Sequence, residues 1–212
     1  MKSANTPRTR RVGLGLRALK GGAVVVGVAV DDDEPRVLLS TFLATGAEGD
    51  RLSLEPYRAA HEFARGPRGG VSAEAAAAVA EGRKRQDHLA AQGLQNIIRR
   101  LDDAPVVGAL LVNRTGWITD LLEYSLDWPE HVPVAEALAV RDALRFALKE
   151  CRCEVVEIDE KSLHDVAAKA LGLSSAEIDA RLKGLGASVG RPWREEQKLA
   201  CLSAWVTIHG DR

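Results

Sequence analysis

Aromatic side chains are scarce in this sequence: three Phe, two Tyr and four Trp make up only 4% of 212 residues, and there is a single Met. A buried core must therefore be built mainly from Ala, Val and Leu. Neither sign of charge dominates, because 29 Lys and Arg stand against 30 Asp and Glu. No overall attraction to nucleic acid or to a membrane is expected, and any basic surface has to be a local patch.

The sequence also has few cysteines and no apolar run long enough for a membrane span. Cys151, Cys153 and Cys201 are odd in number and too few for a secreted disulfide scaffold. Cys151-x-Cys153 could form half a metal site, but no second pair completes it. The favoured interpretation is that these cysteines are simply small residues at a helix-to-strand junction. Ala23–Val30 is only about a strand long, far short of the roughly 20 residues that a span needs. We expect a cytoplasmic protein without a membrane partner, and the Ala- and Arg-rich composition suggests a bacterial source.

Hydrophobic periodicity and turn residues predict the element order β-β-β-α-β-α-β-α. This order indicates an α/β fold with a five-stranded mixed sheet, made of a three-strand antiparallel meander and two parallel strands, flanked by helices. Residues 1–11 are predicted to be a flexible basic arm, and 12–212 a single domain. The glycines Gly184, Gly186 and Gly190 predict a flexible loop before the last helix. The predicted strands are Val12–Leu19, Ala23–Val30, Arg36–Thr45, Val106–Val112 and Glu154–Ile158; the predicted helices are Glu55–Arg65, Ser72–Arg100, Ile118–Tyr124, Val134–Glu150, Lys161–Leu171, Ser174–Leu185 and Pro192–Ile208.

Five separate segments follow the order of one known family. They are an opening hairpin, a leucine-rich helix before Asp-Asp-Ala-Pro-Val-Val, a helix with its strand, the segment after that strand, and a last helix that opens with two acids. The sequence resembles the RuvC family of Holliday-junction nucleases, and the resemblance implies the ribonuclease-H-like fold. The segments are Val12–Val30, Asp87–Val112, Ala135–Glu157, Ile158–Leu171 and Glu195–Val206.

The resemblance also implies a metal site, which this sequence does not reproduce. In the family, four carboxylates bind two divalent ions that assist phosphodiester hydrolysis. Arg17 stands where the first-strand aspartate is expected, and the fourth-strand glutamate falls near Leu110 or Leu111. On the last helix, Glu195 can stand for the first acid, but Lys198 occupies the position of its partner, with Glu196 as a neighbour.

These replacements predict a degenerate, catalytically inactive site with no metal and no other cofactor. Mg²⁺ is expected only if the site is active after all. The nearest polar groups after the fourth strand are Asn113 and Arg114. Arg17 is either a cation that faces phosphate or a strand-face arginine paired with Glu195 or Glu196, and the second alternative is favoured. Lys20-Gly21-Gly22 is more consistent with a hairpin turn than with a phosphate-binding loop. The acidic run 31–34 is interpreted as a solvated turn.

Basic residues cluster at several places: 8–11, 65–68, 83–85 and 99–100. If some of them shared one face they would bind phosphate in a salt-sensitive manner, whereas 83–85 alone could be the solvated face of a helix. Trp117 and Trp128, in the long connection after the fourth strand, are candidates for contact with a partner or a base, and Trp205 is expected to be buried. The five histidines have no metal spacing. The candidate nucleic-acid contacts are Arg17, Lys20, Arg83, Lys84, Arg85 and Arg114.

Three functions are compatible with these features. The first is a catalytically inactive RuvC-like domain that binds DNA or RNA. The second is a structural or regulatory subunit that uses the same fold for protein contact, including homodimer formation. The third is a nuclease or other enzyme whose site has been rebuilt around Arg17, Asn113, Arg114 and Glu195. The sequence slightly favours the first, because a fold can persist after its chemistry is lost.

Overall fold

A computed structural model of the protein describes residues 11–31, 34–63, 70–113 and 116–209. The predicted basic arm lies outside this part of the chain apart from Arg11, whose guanidinium contacts the Glu154 carboxylate at 2.7 Å. Arg114 and the middle of the acidic turn, 32–33, also lie outside it.

Five strands form one mixed sheet in the order β3-β2-β1-β4-β5. The hairpin pairs β1–β2 and β2–β3 are antiparallel, whereas β1–β4 and β4–β5 are parallel. The predicted five-stranded mixed sheet is therefore confirmed. The parallel strands β1, β4 and β5 end at the same edge of the sheet, which we call the carboxyl edge. The strands are β1 Val12–Leu19, β2 Gly22–Asp31, β3 Glu34–Ala44, β4 Val106–Val112 and β5 Glu154–Asp159.

Helices cover both faces of the sheet. Their bounds are α1 Arg51–Leu54, α2 Pro56–Ala60, α3 Ala73–Arg99, α4 Leu121–Asp127, α5 Val132–Glu150, α6 Leu163–Leu171, α7 Ser175–Val189 and α8 Glu195–His209. On one face, α3 and α5 bury an aliphatic layer that includes Leu14, Leu16, Leu94 and Leu144. On the other face, α6, α7 and α8 bury a second layer that includes Val26, Leu111 and Trp205. The expectation that Trp205 is buried is confirmed, since it is 2% exposed.

Two predicted boundaries near the end of the chain are wrong. Gly184 and Gly186 belong to α7 instead of a loop, and α7 ends only at Val189. The last helix begins at Glu195 instead of Pro192, and the backbone N–H of Arg194 donates to the side-chain oxygen of Gln197 at 2.8 Å. In the described part of the chain, no helix is long and apolar enough to cross a membrane.

Candidate functional site

The first strand presents two different faces to its neighbours. Leu14 and Leu16 point into the layer under α3 and α5. Gly13 and Gly15, which alternate with them, point toward α8: a Cβ atom on Gly15 would lie 1.7 Å from the carbonyl oxygen of Ala200. Since side chains alternate along a strand, Arg17 shares the α8 face. The two glycines therefore allow α8 to pack directly on β1, with its first turn next to Arg17.

Arg17 forms a forked ion pair with Glu160, the residue that follows β5. Its Nε donates to Glu160 Oε2 at 3.2 Å and its Nη2 to Oε1 at 2.8 Å. The side chains are only 22% and 24% exposed, so both charges are largely removed from water. The hydrogen bonds from Arg17 to Glu160 raise the pKa of the Arg17 guanidinium. Such a bidentate pair is among the stronger contacts that arginine makes.

The first turn of α8 adds acids to this pair. Glu196 Oε1 lies 3.9 Å from Arg17 Nη1, and Glu195 contributes at longer range to the raised pKa of Arg17. Lys198, predicted to stand in for the second acid of the helix, contacts Glu195 at 3.6 Å. The favoured expectation was that Arg17 pairs with Glu195 or Glu196, and the contact with Glu196 confirms it. The closer partner of Arg17 is Glu160.

From α5, on the other face of the sheet, Arg141 approaches the same edge. In the amide orientation that satisfies its neighbours, the exposed Asn113 accepts a hydrogen bond from Arg141 Nη2 at 3.0 Å. Burial lowers the pKa of Arg141, while the charge of Glu160 acts in the opposite direction. Arg17, Arg141, Glu160 and Glu196 are hereafter called the ion cluster. Two cations and two carboxylates make it close to neutral.

Two members of the ion cluster were not predicted from the sequence. Glu160 directly follows a parallel strand, and ligands and functional groups of α/β sheets gather at the carboxyl ends of such strands. That rule could have pointed to Glu160 from the sequence. Arg141 lies in the middle of an amphipathic helix, where its spacing does not distinguish it from a solvated arginine. Only the packing of α5 against β4 and β5 reveals it.

The ion cluster does not offer the donor set that a pair of Mg²⁺ ions requires. Arg17 brings a positive charge to the edge, and its partner in the β1–β4 register is the apolar Leu111. Divalent ions of this kind need several oxygen ligands and are repelled by a nearby guanidinium. Among the described residues, no three or more His, Cys, Asp or Glu side chains are grouped so that they could hold a metal ion.

The other predicted basic residues are separated from the ion cluster or already paired. Lys20 is 82% exposed and contacts Glu55 at 2.9 Å. Arg83, on the α3 side of the sheet, donates to the Tyr57 hydroxyl at 3.1 Å and to Asp142 at 2.9 Å. The acids that neutralise Arg85 are Asp50 and Glu81, at 2.9 and 2.8 Å. Lys84 lies exposed between them.

The connection after β4 carries exposed aromatic side chains. Trp117 is 70% and Trp128 63% exposed. The ring of Trp117 meets Tyr124 edge to face at 5.4 Å, and Tyr124 stacks on His131 at 3.9 Å. The exposure on which the sequence-based suggestion of a contact surface depended is therefore present.

A small cavity of about 210 Å³ lies beside Lys20, between α5 and the segment 54–58. Its wall includes Glu136, whose Oε1 accepts hydrogen bonds from the backbone N–H groups of Tyr57 at 2.8 Å and Arg58 at 2.9 Å. Burial raises the pKa of Glu136 to about 7, although these two hydrogen bonds act to lower it. The carboxyl group thus holds the first turn of α2 against α5.

A second, larger opening lies between α7 and the segment that leads into α8. It has a volume of about 750 Å³, and its charged lining residues are Lys183, Arg191 and Arg194. These three residues, with Gly186 and Trp193 behind them, are hereafter called the cation cleft. The cleft was not predicted from the sequence, because its cations are separated along the chain and are brought together only by the turn between two helices.

No protein-family model matches the chain, and no curated protein sequence matches it. Solved structures do match. RuvC from Thermus thermophilus superposes with a TM-score of 0.53 over 95% of both chains, at 13% identity. T. thermophilus RuvC in complex with a Holliday junction substrate gives a TM-score of 0.53 with 95% coverage of both chains, at 10% identity. At such identities the likeness shows the fold alone, and the predicted RuvC-like, ribonuclease-H-like fold is confirmed.

Proposed function

We propose that this protein is a nucleic-acid-binding domain that has kept the RuvC fold but not its two-metal chemistry. The observation that carries the proposal is the forked pair between Arg17 and Glu160 at the carboxyl edge. In the resemblance to RuvC, Arg17 corresponds to a metal-binding aspartate. A guanidinium held there by two hydrogen bonds and a second carboxylate is incompatible with a divalent ion at the same position.

The nucleic-acid part of the proposal is supported by the fold and by the type of charged groups. One of the structures with the same fold was solved with a Holliday junction substrate. The chain is close to neutral overall, so binding has to use local groups of cations. The candidates predicted from the sequence, Arg17, Lys20, Arg83, Lys84, Arg85 and Arg114, remain proposals. Arg83 and Arg85 are neutralised by acids of this chain and are partly buried. Lys20 contacts Glu55 but is 82% exposed, and Lys84 is exposed, so these two are the more accessible.

A salt titration tests the binding. Fluorescence anisotropy of labelled duplex, single-stranded and four-way-junction DNA is measured with the full chain from 25 to 300 mM salt. We expect binding at low salt that weakens steeply as salt rises, because phosphate contacts release counterions. Failure to bind any of the three DNAs at 25 mM salt would contradict the proposal for DNA. If a structured RNA also fails to bind, a protein-contact role is favoured.

A cleavage assay tests the loss of chemistry. Junction and duplex DNA are incubated with the protein and Mg²⁺ or Mn²⁺. No cleavage above the metal-only control is expected. The informative comparison variant is Glu160→Gln, which removes the charge that holds Arg17. Metal-dependent cleavage by the native chain that this variant abolishes would overturn the proposal and favour an enzyme with a rebuilt site.

A further inference from the structure

The cation cleft brings three basic side chains together on the described surface with no acid among its lining residues. The charged groups that line it are Lys183, Arg191 and Arg194, all of them exposed. In the described part of the chain, none of the three has an ion-pair partner within 4 Å. By contrast, Arg17, Arg83, Arg85, Arg145 and Arg181 all contact a carboxylate.

An adjacent opening along α7 supplies an internal comparison. It shares Lys183 with the cation cleft, and its other charged residues are Lys198, Asp179 and Glu195, with His164 beside them. Lys198 contacts Glu195 at 3.6 Å. In that opening, Asp179 and Glu195 lie beside Lys183 and Lys198. Arg191 and Arg194 line only the cation cleft, where no acid is among the lining residues. An anion that enters this region is drawn to the cation cleft.

The cleft is held in shape by Trp193. A Cβ atom on Gly186 would lie only 2.2 Å from Cδ1 of the Trp193 ring, so the ring packs on α7 where no side chain intervenes. Its Nε1 donates to the carbonyl of Leu182 at 2.9 Å. On the other side, the Arg194 backbone is fixed by Gln197 at 2.8 Å. Because the Trp193 side chain and the Arg194 backbone are anchored, little backbone ordering has to accompany ligand binding at this point.

We propose that the cation cleft binds phosphate groups, and that their source is a nucleic-acid backbone. The second half of this inference rests on the proposed function. Two guanidinium groups and one ammonium match phosphate oxygens, and arginine can contact them in a bidentate manner. Contacts to phosphate of this kind fix the position of the backbone without reading its sequence.

The phosphate site is tested first with inorganic phosphate and pyrophosphate. In ¹H–¹⁵N spectra of the full chain, we expect shifts of the Trp193 indole signal and of the amides of 183–194. The variant Lys183→Gln/Arg191→Gln/Arg194→Gln removes the three charges. Its matched control, Lys149→Gln/Arg152→Gln/Arg100→Gln, removes one Lys and two Arg that are exposed near the opposite edge of the sheet. Absence of shifts in the native chain, or equal shifts in the cleft variant, would overturn the inference.

Nucleic-acid binding supplies the second test. Neutralising three phosphate contacts reduces the slope of log K against log salt by about 2.7 for duplex DNA, which corresponds to roughly 40-fold between 50 and 200 mM salt. We expect this reduced salt dependence, with weaker binding at low salt, for the cleft variant and a much smaller change for the control variant. Gly186→Ala keeps every charge but displaces Trp193, and it is expected to weaken binding as well.

The outcomes separate this inference from the proposed function. If nucleic acid binds and the cleft variant binds as tightly as the control variant, the cleft is not the contact surface, although the proposed function stands. If phosphate shifts the cleft signals but no nucleic acid binds, the proposed function fails and a free phosphorylated molecule is the source. Equal weakening by both triple variants would indicate a net-charge effect and contradict the inference.

Discussion

The ion cluster at the carboxyl edge and the cation cleft beside α8 both contain two arginines, but in different surroundings. In the ion cluster, Arg17 is mostly buried, and Glu160 and Glu196 accompany it. In the cation cleft, Arg191 and Arg194 remain in water, and no acid of the described chain neutralises them. A buried charge has to be paired because its desolvation is costly, whereas an exposed charge can stay unpaired. The first arrangement serves folding, and the second leaves charge available for a ligand.

Both regions depend on the close packing of α8 on β1, so the largest effect is expected from Gly15→Val. A side chain at this position overlaps the backbone carbonyl of Ala200, which cannot rotate away. We expect a loss on the order of 4 kcal/mol in the free energy of unfolding, or failure to fold. Urea denaturation measures it. Gly184→Ala, which introduces a Cβ into open space on α7, is the control and is expected to be neutral or slightly stabilising. A Gly15→Val protein of native stability would show that α8 does not pack this closely.

Removal of Glu160 tests the pairing within the ion cluster. Glu160→Ala leaves the guanidinium of Arg17 largely buried and without its forked partner, with Glu196 at 3.9 Å and the more distant Glu195 as the remaining acids. We expect a loss of about 2 kcal/mol in the free energy of unfolding. Arg17→Ala/Glu160→Ala removes both charges and is expected to lose less than the sum of the single variants. The measurement is a double-mutant cycle by urea denaturation. Strictly additive losses would mean that the forked pair contributes nothing to stability.

The fold could be predicted from the sequence because each strand carries a clear local pattern. Val12–Leu19 and Val106–Val112 are recognised by their apolar residues and their turns, and the structure confirms both. The ion cluster was only partly predictable. Arg17 and Glu196 were predicted because they stand at or beside the family's metal positions, whereas Glu160 follows the fifth strand, where the family has no metal ligand.

The cation cleft and the helix boundaries beside it were not predictable by the same means. Glycines at 184 and 186 favour a loop by propensity. Packing reverses that preference at Gly186, since its missing side chain makes room for the ring of Trp193. No local sequence pattern predicts that a glycine contacts a tryptophan seven residues later, across a turn. The grouping of Lys183 with Arg191 and Arg194 follows from that contact.

Glu136 provides a buried acid to compare with Arg17. It is a largely buried carboxyl group without an ion-pair partner in the described chain. Its pKa of about 7 lies above the ordinary value of 4.5. Between these values the folded state binds more protons than the unfolded state, so stability falls as pH rises from about 4.5 to 7. Glu136→Gln keeps an acceptor for the Tyr57 and Arg58 N–H groups without a titrating charge. We expect the variant to equal the native chain at pH 4.5 and to exceed it by about 3 kcal/mol at pH 8.

Urea denaturation between pH 4.5 and 8 measures the difference for Glu136. The exposed Glu48→Gln, which also removes one carboxylate, serves as the control. If Glu136→Gln differs from the native chain by a constant amount across this range, burial does not perturb the carboxyl group as described.

The smallest effect on stability is expected from the cation cleft itself. Because Lys183, Arg191 and Arg194 have no acid partners in the described chain, replacing all three with Gln should change the free energy of unfolding by less than about 0.5 kcal/mol at 150 mM salt. At 10 mM salt the variant should be slightly more stable than the native chain, since repulsion among three neighbouring cations is then unscreened. Addition of pyrophosphate should raise the urea midpoint of the native chain and leave that of the variant unchanged, because a ligand stabilises only the state that binds it. A loss above 1 kcal/mol without ligand would mean that these side chains hold the turn before α8 together, and the contrast with the ion cluster would disappear.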